Sequence, residues 1–133
     1  MKKYYVDTNV FLRYLLEDNQ KYAKKAAKYF EQAEEEKITL VVSPQIIFEI
    51  EYILYKLYKV KRRKIGDILQ DLISWSYLQM KNRSLLYDSL ILYKKTKIDL
   101  VDIVLFLEAK KDKASVLSFA KDFKRLKRED KTM

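Results

Sequence analysis

Five carboxylates of this sequence stand where acidic side chains could act together in chemistry. Each follows or lies within an apolar segment: Asp7, Glu49, Asp99, Asp102 and Asp122. Carboxylates that lie close together raise one another's pKa unless a cation neutralises them. If these side chains converge, a divalent metal is the natural partner, since Mg²⁺ bound by such oxygens can activate water and offset charge at a phosphodiester.

Asp7 ends the apolar run of residues 4–6, Tyr-Tyr-Val. This run predicts a buried strand, because Tyr and Val favour packed, pleated positions. Thr8 and Asn9 then open a helix. In open α/β sheets ligands bind at the carboxyl ends of the strands, so Asp7 is a candidate metal ligand. The alternative is that Asp7 only caps the helix that follows.

The other four acids belong to predicted helices or follow a predicted strand. At 100° per residue, Glu49 lies about 80° from the centre of its helix's apolar stripe, so we expect it to border the core. Asp99 and Asp102 are three residues apart and share one helix face. Each acid also has a simpler interpretation. Glu49 could pair with a Lys or Arg. Asp99 and Asp122 could each cap a helix, and Asp102 could be stabilised by the helix dipole.

The chain of 133 residues contains no Cys and no His. This excludes thiol nucleophiles, Ser-His triads, imidazole bases and nearly all protein zinc sites. Any metal must then be bound by oxygen, which favours Mg²⁺ or Mn²⁺. With only one Gly, a glycine-rich phosphate loop is also excluded.

The formal net charge is +9, from 28 basic and 19 acidic side chains. Such a surplus favours a polyanionic partner, of which nucleic acid is the usual one. A solvated Lys/Glu-rich surface is the alternative.

The N-terminal segment predicts neither a signal peptide nor a membrane anchor. Asp7, Asn9 and Arg13 interrupt its apolar stretch, and no run of about 18 apolar residues occurs in the chain. We therefore expect a cytoplasmic protein.

Hydrophobic periodicity predicts strands that alternate with helices, which is typical of an α/β protein with a parallel sheet. The strands are expected over 3–6, 38–42, 77–81 and 116–119, the third being the weakest. The helices are expected over 9–16, 19–36, 44–58, 62–76, 83–95 and 99–111. In the second helix, the apolar positions are Tyr22, Ala26, Tyr29 and Phe30. We expect a single domain over 1–126 and a charged, flexible tail over 127–133.

Four short motifs, in their order and spacing, resemble the PIN-domain ribonucleases found as toxins in VapBC toxin–antitoxin pairs. The motifs are Val6-Asp7-Thr8-Asn9-Val10-Phe11-Leu12, Ser43-Pro44 leading to Phe48-Glu49-Ile50, Asp99-Leu100-Val101-Asp102, and Leu117-Ser118-Phe119-Ala120-Lys121-Asp122-Phe123. The resemblance covers nearly the whole chain. It implies a Rossmann-like three-layer α/β/α sandwich around a central parallel sheet of four strands, or five.

The resemblance also implies a function: metal-dependent cleavage of RNA with Mg²⁺ or Mn²⁺, homodimerisation, and inhibition by a cognate antitoxin protein. By position, Asp7, Glu49 and Asp102 match the family's first three acids, and Asp99 matches an additional acid that some members carry. Thr8, Asn9 and Ser118 fall where small polar residues support the site. The side chains that we expect to contact the RNA backbone are Lys61, Arg62, Arg63, Lys121 and Lys124. A solvated charged face is the alternative for each of these.

The last motif departs from the family pattern. Ala120 stands where the fourth acid is usual, and Asp122 follows two residues later. Along a straight strand this displaces the carboxylate by about 6–7 Å. Asp122 is therefore the weakest metal ligand of the set, and the sequence favours one firmly held metal over two.

Two other functions fit the sequence less well. The loss of the acid at Ala120 motivates a catalytically weakened or inactive PIN-like module that binds RNA or a protein partner. An unrelated basic helical protein that binds DNA is the last alternative, and the sequence has no clear helix-turn-helix signature to favour it.

Overall fold

A computed structural model describes residues 1–130, which form two compact units. The first unit comprises Met1–Lys59 and Ser74–Lys81, and the second comprises residues 60–73 and 82–130. The expected single domain over 1–126 stays a prediction.

The first unit contains a parallel sheet with three helices. Its elements are β1 (Lys3–Tyr5), α1 (Thr8–Leu16), α2 (Gln20–Glu34), β2 (Thr39–Val41), α3 (Pro44–Lys56) and β3 (Leu78–Gln79). The strand order is β1-β2-β3, and Leu40 of β2 pairs in parallel with Tyr4 on one side and Leu78 on the other. The predicted α/β class with a parallel sheet is confirmed.

Strand β1 is an edge strand, and its exposure differs from the prediction. Tyr4 and Tyr5 are 38% and 72% exposed, and only Val6, just after the strand, enters the core. The prediction of a buried strand was wrong because propensity does not tell an edge strand from a central one.

An aromatic cluster holds α1 and α2 together. The ring of Phe30 on α2 stacks on Phe11 of α1 at 5.4 Å between centroids, and it meets Tyr14 and Trp75 edge to face. Around it, α2 buries Ala23, Ala26, Phe30 and Ala33. The buried face of α2 therefore excludes Tyr22 and Tyr29, which the sequence had placed among its apolar positions.

The second unit is helical. Its elements are α4 (Arg62–Ile73), α5 (Arg83–Lys95), α6 (Leu100–Lys111) and α7 (Asp122–Glu129). Helix α5 packs against α4 and α6, and α7 packs against α5 and α6. The one Gly of the chain, Gly66, lies in α4 at the close approach to α5, where an added Cβ would collide with the side chain of Lys94.

The predicted strand over 116–119 was wrong, and so was the expected sheet of four or five strands, because residues 1–130 contain three strands. Leu117 and Phe119 are almost fully exposed, at 98% and 106%. The Val-Leu-Ser-Phe run has strand propensity, but a strand also needs a hydrogen-bonded neighbour, which a local pattern cannot supply.

The segment after residue 121 forms a packed helix, where the sequence predicted a flexible tail from residue 127. Helix α7 buries Leu126 completely, and Asp130 forms an ion pair with Lys110 of α6. Residues 127–129 of the predicted flexible tail thus belong to a helix. The last three residues of that predicted tail, 131–133, lie outside the described residues. In the part of the chain that the structure describes, no helix is long and apolar enough to span a membrane.

Candidate active site

Asp7 begins helix α1 as its N-cap. Its backbone is extended, and its Oδ1 accepts a hydrogen bond of 2.8 Å from the Thr8 N–H. The side chain is exposed, so the carboxylate that caps the helix is also accessible to a ligand. Capping, the simpler interpretation of Asp7, is therefore real and compatible with a role in chemistry.

Thr8, the residue after Asp7, has a buried hydroxyl. The residue is 2% exposed, and its Oγ1 has no hydrogen-bond partner within residues 1–130. A buried hydroxyl without a partner costs about 1–3 kcal/mol, so folds rarely retain one. Thr8 thus has the unused hydrogen-bonding capacity expected of a residue that supports a site.

Glu49 lies on the exposed side of α3, and the prediction that it borders the core was wrong. The buried stripe of α3 is Ile47, Ile50 and Leu54. It is shifted from the stripe that the sequence predicts, which is Ile46, Ile50, Ile53 and Leu57. At 100° per residue this shift turns Glu49 outward and Glu51 toward the half-buried boundary. Glu49 remains a candidate ligand as a solvated carboxylate.

The second unit contains three of the predicted acids. Asp99 is the N-cap residue of α6, Asp102 lies in the first turn of α6, and Asp122 is the first residue of α7. The Asp99 side chain makes no capping hydrogen bond within the described chain. The simpler explanation of Asp99 as a helix cap therefore lacks its characteristic contact.

Burial raises the pKa of Asp102 above its ordinary value of 3.8, and the charges of Asp99 and then Asp122 raise it further. Asp99 acts from the same helix face, three residues away, whereas Asp122 acts from α7. Asp122 is therefore within electrostatic reach of Asp102 despite its displacement along the sequence.

The donor chemistry of these acids fits a hard divalent cation. All are carboxylates, and Asp102 carries unfavourable like-charge interactions that a bound cation would relieve. However, no three Asp or Glu side chains of residues 1–130 converge closely enough to hold a metal as they stand. The acids thus provide suitable ligands without a preassembled coordination shell.

The predicted supporting residues lie in different surroundings. Asn9 is exposed in the first turn of α1. Ser118 is exposed in the segment before α7, where its Oγ accepts a 3.0 Å hydrogen bond from the Ala120 N–H. Ser118 thus shapes a local turn, and Asn9 presents its amide at the surface.

Four of the five basic residues expected to contact RNA are exposed: Lys61, Arg63, Lys121 and Lys124. Arg62 differs, because its guanidinium donates to the carbonyls of Tyr93 and Ile98 and lies 3.8 Å from the centroid of the Tyr93 ring. This side chain fastens α4 to the end of α5, which leaves it unsuited to binding phosphate.

The sequence did not single out a cleft on the first unit. It has a volume of about 370 Å³, and its lining includes Asn9 and Arg13 of α1 and Tyr22, Lys25 and Tyr29 of α2. The three residues of α2 stand at i, i+3 and i+7, a spacing that places them on one helix face. This spacing was the available signal, but the sequence pattern placed the two tyrosines only among the apolar positions of the helix.

The fold and the acids define an α/β protein with carboxylates suited to a divalent cation. The family model of the PIN domain matches residues 3–124 of the chain. The chain therefore belongs to the PIN domain family. It is 25% identical over 122 residues to a protein of Aquifex aeolicus (strain VF5) named VapC ribonuclease, and the match covers 91% of this chain and 90% of that protein. No solved structure matches the chain.

Proposed function

We propose that this chain is an endoribonuclease that hydrolyses RNA phosphodiesters. The observation that carries the proposal is the electrostatic interaction of Asp102 with Asp99 and Asp122, in a member of the PIN domain family. The similarity to a VapC ribonuclease and the net charge of +9 support RNA as the substrate.

The carboxylates have distinct proposed roles. Asp7, Glu49 and Asp102 would hold Mg²⁺ or Mn²⁺, with Asp122 as a weaker ligand. When bound, the divalent cation supplies positive charge for activating water and stabilising the phosphodiester during attack. Asp99 orients the attacking water by accepting its hydrogen bond. Thr8, Asn9 and Ser118 support these groups, and Lys61, Arg63, Lys121 and Lys124 attract the phosphate backbone.

The Asp7→Asn variant tests this function. Asn caps helices about as well as Asp, so the variant should fold with nearly unchanged stability. We expect its cleavage of RNA with Mn²⁺ to fall at least about 100-fold, because a neutral amide is a poor ligand and base. Asp112→Asn, at the far end of α6, is the matched control and should cleave normally. Undiminished cleavage by Asp7→Asn would sink the proposal.

A non-catalytic module is the second candidate. It is favoured by Ala120 at the usual position of the fourth acid and by the lack of a preassembled metal-binding group within residues 1–130. Such a protein would bind RNA or a protein partner without cutting. Incubation of the purified protein with RNA and Mn²⁺ distinguishes the two, because cleavage that EDTA removes excludes the non-catalytic module.

We further propose that the chain is the toxin of a toxin–antitoxin pair, acts in the cytoplasm as a homodimer and is inhibited by a cognate antitoxin. Similarity to a VapC ribonuclease supports the toxin role and an antitoxin partner. Co-expression with the product of a neighbouring reading frame tests it, since an antitoxin should relieve growth arrest and co-purify with the chain.

A further inference from the structure

The cleft between α1 and α2 combines cations with aromatic rings. Arg13 Cζ lies 5.4 Å and Lys25 Nζ 5.9 Å from the centroid of the Tyr22 ring. Tyr22 is half exposed, so this ring holds both cations at the mouth of the cleft instead of in the core.

The charge around the cleft favours an anion. Arg13 NH1 lies 3.3 Å from Asp18 Oδ1, but both side chains are 44% exposed, so this ion pair is weak and leaves other guanidinium donors available. Residues 20–30 of α2 carry no acid and four lysines, of which Lys25 lines the cleft. Phosphate is an anion that Lys and Arg commonly bind.

Tyr29 provides an aromatic surface beside these cations. It is 46% exposed and meets the ring of Tyr4 edge to face, with centroids 6.1 Å apart and planes at 65°. This contact fixes the ring while much of it stays accessible. An ordered, exposed tyrosine next to phosphate-binding cations matches the way in which proteins stack the bases of single strands.

The cleft also lies next to a candidate catalytic residue. Asn9, which lines the cleft, is the second residue of α1, and Asp7 is the N-cap of the same helix. The cleft has a volume of about 370 Å³, which falls in the range of roughly 300–1,000 Å³ typical of small-ligand sites. Because Asn9 lines it, one wall of the cleft belongs to the helix that Asp7 caps.

We propose that this cleft binds one nucleotide of a single-stranded RNA substrate. The base stacks on Tyr29, and the phosphate binds Arg13 and Lys25, which Tyr22 positions. This inference rests on the proposed function for the nature of the substrate. It confines substrates to RNA in which a base is unpaired, because a base within a duplex cannot stack on a side chain.

The test measures RNA binding separately from cleavage. Asp7→Asn serves as the parent, so that labelled single-stranded RNA stays intact, and fluorescence anisotropy is followed in EDTA. Adding Tyr29→Leu should weaken binding about 5- to 100-fold through loss of stacking, whereas Tyr29→Phe keeps the ring and should stay within about twofold. Tyr52→Leu, at a tyrosine of similar exposure on α3, is the matched control and should bind normally.

The salt dependence tests the phosphate contact. Lys25→Gln should reduce the slope of log K against log salt by about 0.7, the value for one phosphate of a single strand. Lys56→Gln, at an exposed lysine in the last turn of α3, should leave the slope unchanged.

Two results would overturn the inference: no measurable RNA binding by the parent, or equal affinity in Tyr29→Leu and its parent. Equal affinity would instead favour a protein partner for the cleft. If the unmodified chain cleaves RNA and Tyr29→Leu binds RNA as its parent does, the cleft proposal is refuted and the proposed nuclease function stands. Tyr29-dependent binding without any cleavage refutes the proposed nuclease function alone.

Discussion

Asp102 is the residue whose ionisation the fold opposes. Burial is the largest cause of its raised pKa, followed by the charges of Asp99 and Asp122. The folded chain therefore keeps a proton on Asp102 at pH values where the unfolded chain has lost it. As the pH rises from 3.8 through the raised pKa, the free energy of unfolding decreases, because the folded state binds more protons in this window.

The Asp102→Asn variant should remove this loss of stability. In EDTA at pH 7, we expect it to unfold with a free energy about 0.2–0.5 kcal/mol above that of the unmodified chain, the usual scale of a like-charge pair on a helix. The gain should vanish near pH 3, where Asp102 is protonated in both states. Urea unfolding at several pH values measures it. If the added free energy of unfolding persists unchanged at pH 3, its origin is not the charge of Asp102.

The two neighbours of Asp102 should contribute unequally. Asp99→Asn should lower the pKa of Asp102 more than Asp122→Asn does, since the charge of Asp99 raises this pKa more than the charge of Asp122 does. NMR titration of the Asp102 carboxyl carbon measures both shifts directly. No shift in Asp122→Asn would show that the carboxylate two residues after Ala120 is too distant to take part in the site.

At the scale of elements, the helices end without glycine. Helix α6 ends in a Schellman motif, in which the Ala114 N–H donates to the Ala109 carbonyl and the Lys113 N–H to the Lys110 carbonyl. Lys113 has a φ of 57°, in the left-handed region that usually favours glycine. Glu36 takes the same position after α2, at a φ of 62°.

Lys113→Gly should therefore stabilise the chain. We expect the free energy of unfolding to rise by about 0.5–1 kcal/mol, because glycine relieves the left-handed strain at the expense of some added freedom in the unfolded chain. Lys111→Gly, inside the last turn of α6, is the matched control and should lower it by about 1 kcal/mol. Urea unfolding compares the two, and a similar loss in both would refute the explanation.

The sequence predicted the positions of the helices and strands better than it predicted which of their faces are buried. The helix starting at Ser43-Pro44 and the acids three apart in α6 were found because each rests on a local signal. The exposure of Tyr5, the outward turn of Glu49 and the loss of a strand at Leu117 depend on neighbours distant in sequence. These contacts decide which face of an element is buried, and periodicity within one segment does not encode them.

At the scale of the whole molecule, the net charge of +9 makes binding of a divalent cation a specific test of the acids. A basic body repels cations over most of its surface, so stabilisation by Mn²⁺ must come from a local cluster of carboxylates. At a free Mn²⁺ concentration 100 times the Kd, we expect about 2.7 kcal/mol of added stability, seen as a rise in Tm. Asp102→Asn should lose most of this rise, whereas Asp112→Asn at the other end of α6 should keep it. Equal Mn²⁺-dependent shifts in both variants would show that the cation binds elsewhere, and would remove Asp102 from the proposed ligands.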